Sequence, residues 1–162
     1  MNAELSPWSP QINLIAAWIG ILLGFLSGMV LGLFFHRENW LGGYASLPRR
    51  LYRLAHISFF GLGAVNLLFF FTARTLALSG PLAEVASWAF LVGAVSMPVC
   101  CVVMAHFPRT QPIFGVPVLS LIAGGALTLL ALVRTPDMRT NVFTAAKPVA
   151  TTLNHQPISH SP

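Results

Sequence analysis

Four long stretches without a charged residue decide what this chain can fold into. No Asp, Glu, Lys or Arg lies between Glu4 and Arg37, between Arg53 and Arg74, between Glu84 and Arg109, or between Arg109 and Arg134. Crossing about 30 Å of hydrocarbon takes roughly 20 helical residues. Each stretch is long enough for one crossing and none suits two. In lipid, backbone polar groups must be bonded within the protein, and runs of this length are not barrel strands. The expected fold is all-α, an integral membrane four-helix transmembrane bundle over residues 1–134. Its spans are predicted near 13–35, 52–74, 84–106 and 113–133, with a polar extramembrane tail over 135–162.

Composition agrees. Charged residues make up 8% of the 162 and hydrophobic residues 56%, whereas a soluble domain is about 25% charged. So few charges cannot cover a water-facing surface, so the lipid bilayer is the expected main partner. The net charge of +5 is not read as a nucleic-acid signal. The basic residues sit at span ends and in the tail, where they act as topology signals and interfacial anchors. No Lys or Arg precedes the first apolar run, and that run is too long for a secretory signal.

Four crossings put both termini on one side. Arg37, Arg49, Arg50, Arg53 and Arg109 share the opposite face, against Arg74, Arg134, Arg139 and Lys147 on the terminal side. Short-loop charges carry most of the weight, so the 36–53 loop is expected to be cytoplasmic, in a bacterial inner or plasma membrane. Gly42-Gly43, Pro48, Ser79-Gly80-Pro81 and Pro108 to Pro112 punctuate the turns.

Packing signals are present in the first three spans. Gly20, Gly24, Gly28 and Gly32 recur every four residues, a stripe that lets a second helix approach closely, in this chain or another. Asn66 lies near the middle of the second span and needs a hydrogen-bond partner in protein. Pro98 removes a backbone donor from the third span and is expected to kink it.

Three histidines fall near one membrane face. His36 ends the first span, His56 lies about one turn inside the second, and His106 ends the third. Helical spacing puts His56 on a stripe with Phe60, Gly63, Asn66 and Phe70, and His36 continues the glycine stripe. Imidazoles at matching height on facing helices are what a b-type haem needs for axial ligation. His56 and His106 are the simplest pair, with His36 as the alternative. Gly61 and Gly63 leave room for the macrocycle. Arg50 and Arg53, with Arg49 and Arg109 nearby, are the matching propionate partners. The alternative reading of the same histidines is interfacial, bonded to loop backbone.

A second constellation is Met97, Cys100, Cys101 and Met104, whose soft sulfurs suit Cu(I). These types also serve as ordinary apolar packing. Adjacent helical cysteines point about 100° apart, which argues against a disulfide between them. The acidic residues, Glu4, Glu38, Glu84 and Asp137, all lie outside the membrane centre. They supply no carboxylate pair and no proton relay. With no phosphate loop or Ser/His/Asp arrangement, the chain reads as non-enzymatic.

The stretch from Gly24 to Asn66 resembles small membrane proteins related to subunit I of the haem–copper oxidases. The matching residues are Gly24, Gly28, Gly32, Phe35, Arg37, Glu38 and His56. Where those proteins often carry two histidines spaced by one residue, this chain has His56 and Ser58. The tail over 135–162 is rich in Thr, Pro and Asn and has no apolar periodicity. Such a segment orders only against a partner. Together these features lead to an expected function as a small non-catalytic subunit of a larger energy-transducing (respiratory or photosynthetic) membrane complex. In it the glycine face and the tail would dock onto other membrane subunits. The alternative is a free-standing haem- or copper-binding membrane electron-transfer protein.

Overall fold

A computed structural model describes residues 9–134; the predicted polar tail lies outside the described residues. Four helices follow one another: α1 Gln11–Phe34, α2 Leu47–Thr75, α3 Pro81–His106 and α4 Gly115–Arg134. Short 3-10 turns stand at Trp40–Gly42 and Pro108–Phe114. All four helices are long and apolar enough to cross a membrane. Side chains such as Phe25, Leu26, Leu68, Val95, Leu119 and Leu129 point outward, a surface that only lipid or another membrane protein covers. The chain is a multi-pass membrane protein.

The helices pack as an open row. α2 lies against α1 and α3, and α3 lies against α2 and α4, while α1 meets α3 only lightly. The middle helices therefore bury a larger share of their residues than α1 and α4 do. A row suffices in lipid, because an apolar face left uncovered costs little there.

α2 is longer than its predicted span. Its 29 residues extend about 44 Å at 1.5 Å per residue, well beyond the hydrocarbon. Ser46 caps it, Oγ accepting from the Arg49 N–H at 3.4 Å, and Pro48 occupies the first turn, where its missing N–H is harmless. Arg49, Arg50 and Arg53 thus belong to the helix and not to a loop. Ahead of it the chain reverses through left-handed backbone at Leu41, Gly42 and Gly43, which the two glycines adopt without strain. α2 ends with Ala77 at φ 47 and the Leu78 N–H donating to the Ala73 carbonyl at 3.0 Å, a Schellman closure with alanine where glycine is usual. α3 runs unbroken through Pro98.

The glycine stripe is filled within the chain. A Cβ on Gly20 would stand 3.1 Å from the Phe59 carbonyl oxygen, and one on Gly63 would stand 3.1 Å from that of Ala17. The two backbones are in contact. Further along α1, Gly24 receives the Phe60 ring and Gly28 the His56 ring, while nothing lies within 4 Å of a Cβ on Gly32. The first three glycines therefore pack against α2 of the same chain. α3 and α4 interlock likewise, with Leu121 against Gly93 and Phe90 against Gly124.

Candidate functional site

Three polar side chains inside the membrane tie α1, α2 and α3 together. Asn13, Asn66 and Ser87 are all fully buried. The Asn13 Nδ2 donates to Asn66 Oδ1 at 2.8 Å and to the Ser87 carbonyl at 3.4 Å. Ser87 Oγ donates to Asn13 Oδ1, and Asn66 Nδ2 donates to the Leu62 carbonyl at 2.9 Å. Asn66 therefore faces protein as expected. Its partners were not singled out in the sequence, since Asn13 stands at a predicted span boundary, where a polar residue carries no signal.

At the opposite end lies a face built from the 35–46 loop and the nearby ends of α1, α2 and α3. Here His56 turns towards α1. Its Nδ1 lies 3.0 Å from Ser27 Oγ, and Ser27 itself donates to the Gly24 carbonyl at 3.0 Å. Ser27 Oγ thus stands between the Gly24 carbonyl and the His56 ring. The ring packs on Gly28, whose Cβ would fall 2.7 Å from His56 Cε1, and meets Phe60 edge to face at 5.4 Å. His106 turns instead to Tyr52 of α2, its Nε2 hydrogen-bonded to the phenol oxygen at 2.9 Å. His36 is exposed beyond the end of α1.

The two histidines engage different neighbours, His56 contacting α1 and His106 contacting α2. Gly63 is packed on the α1 backbone, while Gly61 is exposed with open space around it. Arg50 is exposed, and Arg53 donates from Nη2 to the Tyr44 carbonyl at 3.4 Å. The sulfur set is divided as well. The Cys100 thiol donates to the Ile113 carbonyl at 3.6 Å, while Cys101, about 100° round the helix, is fully buried. Met97 and Met104 are half-buried. Among the described residues no three His, Cys, Asp or Glu side chains are grouped to hold a metal ion.

Arg49 is the charged residue that the fold does enclose, 1% exposed. Its Nη2 donates to the Phe35 carbonyl at 2.7 Å. The guanidinium lies over the rings of Tyr44, Phe35 and Trp40, at 4.5, 5.5 and 5.8 Å from their centroids. Cation–π attraction is strongest where water is excluded, and it fastens the loop to α2. Nη1 is buried without a hydrogen-bond partner. Arg53 approaches the same Tyr44 ring at 5.1 Å, and Arg37 lies over Phe34 at 5.4 Å. Glu38 is the only carboxylate between residues 34 and 53, so this face is strongly cationic.

Below it an apolar groove of about 560 Å³ opens between α1 and α3. Ala55, Phe59, Leu62 and Gly63 of α2 form its floor, and its α3 wall runs from Leu91 to Val103. No histidine or cysteine lines it. No known protein family, curated protein or solved structure matches the chain.

Proposed function

We propose that this chain is a small non-catalytic subunit of a larger, energy-transducing membrane assembly. The observation that carries the reading is the open row. α1 and α4 are each held by one principal neighbour and keep most of their apolar surface outward, so partner helices can join at either edge without disturbing the fold. The use of the polar groups supports a non-catalytic role. Asn13, Asn66, Ser87, Ser27 and His56 all serve as links between helices.

Purification of the native protein in mild detergent tests this. The expected result is a colourless chain in a discrete larger complex, with other membrane subunits in fixed ratio. A chain that purifies alone with a Soret band, lost in His56→Ala, would overturn the reading in favour of a free-standing haem protein.

A further inference from the structure

The groove and the cationic face are two parts of one surface. Phe34 lies eighteen residues, five helical turns, beyond Ala16 of the groove wall, and therefore on the same side of α1. It stacks on Trp40 at 5.6 Å. Trp40 in turn meets Tyr52 at 6.4 Å, and Tyr52 meets His106, which is one turn past Val102 and Val103 of the other wall. These four side chains form a continuous line from the end of α1 across α2 to the end of α3, on the loop side of the groove. Above them stand Arg37 on Phe34 and Arg49 behind Trp40, the latter with Nη1 unpaired. Arg109 follows His106 by three residues. The far end is different in kind, closed by the neutral Asn13–Asn66–Ser87 cluster. An occupant matched to this surface is apolar along about 18 Å, the rise of α3 from Leu91 to Val103, and anionic at the loop-side end only.

We infer that the surface is a binding site for an anionic phospholipid, with one acyl chain in the groove and the phosphate at its cationic loop-side end. Charge complementarity selects this occupant over a partner helix. A purely apolar helix leaves the cationic rim unpaired, whereas phosphate pairs with its guanidinium groups. Basic pockets between transmembrane helices bind anionic headgroups in this way.

The test is native mass spectrometry of the full chain, delipidated in detergent and titrated with phosphatidylglycerol or with phosphatidylcholine of the same acyl chains. A single phosphatidylglycerol adduct is expected at a concentration about tenfold below that needed for phosphatidylcholine. The double variant Arg37→Gln with Arg109→Gln lowers that preference by about fivefold, with phosphatidylcholine binding unchanged. Val99→Trp, which fills the groove from a half-exposed position, weakens both lipids, while Ile57→Trp, on the outward face of α2, weakens neither. Circular dichroism verifies that each variant folds. Equal binding of the two lipids, or full retention of the adduct in Val99→Trp, would overturn the site. So would a cross-link from Val99→Cys to another polypeptide in native membranes, which would assign the groove to a helix.

Discussion

Asn13 of α1 and Asn66 of α2 are hydrogen-bonded side chain to side chain at 2.8 Å with no exposure to the surroundings, although 53 residues separate them. Hydrogen bonds between membrane helices contribute about 0.6 kcal/mol on average and up to roughly 1.7 kcal/mol. Asn66→Leu is expected to lower stability by about 1 kcal/mol. A double-mutant cycle with Asn13→Leu in a reversible unfolding assay should return a coupling near the average. Coupling indistinguishable from zero would show that the two amides do not meet.

The glycines separate into packed and open positions, which makes a contrast within one helix pair. Gly63→Leu pushes a branched side chain into the α1 backbone and is expected to cost about 1–3 kcal/mol. Gly32→Leu, with open space around its Cβ position, should change stability by no more than about 0.5 kcal/mol. Thermal unfolding in detergent distinguishes them, and equal losses would contradict the assignment of the stripe to α2.

Arg49 cannot be replaced by lysine without loss, because an ammonium has no planar face to lay over Tyr44 while bonding the Phe35 carbonyl. Arg49→Lys should loosen the 35–46 loop and raise its rate of proteolytic cleavage, leaving the four helices intact by circular dichroism. Unchanged cleavage would mean that the aromatic enclosure does not hold the loop.

Ala77 occupies left-handed backbone at the end of α2, which costs a residue with a Cβ roughly 1 kcal/mol relative to glycine. Ala77→Gly should therefore stabilise the protein, by somewhat less than that because glycine also gains freedom in the unfolded chain. A lower unfolding temperature in this variant would argue against the Schellman closure.

The charge bias predicts sidedness. A cysteine placed at the exposed Ala45 should react with an impermeant maleimide only once the cytoplasmic face is opened. Labelling from outside intact cells would invert the topology.

How much of this was legible beforehand differed between fold and site. Charge-free length alone placed the four helices, because the cost of a charge in hydrocarbon leaves few alternatives. The largest error lay at α2, predicted from residue 52 but starting at Leu47. Membrane thickness limits a span but not the helix around it, and Ser46 with Pro48 supplied a helix start that the charges concealed. Asn66 was visible as a residue needing a partner. Its partners Asn13 and Ser87 were not, since which helices adjoin is a tertiary fact. The histidines were placed at the correct end, yet what each ring touches depended on Ser27 and Tyr52, residues with no signal of their own in the sequence.

The open row also bears on how the protein is made. Each helix packs on its neighbours in the chain, so successive helices can pair as they leave the insertion machinery, with short-range contacts forming first. The buried amide cluster is the exception. Asn13 is synthesised 74 residues before its Ser87 partner, so the first helix is not fully locked until the third has entered the membrane.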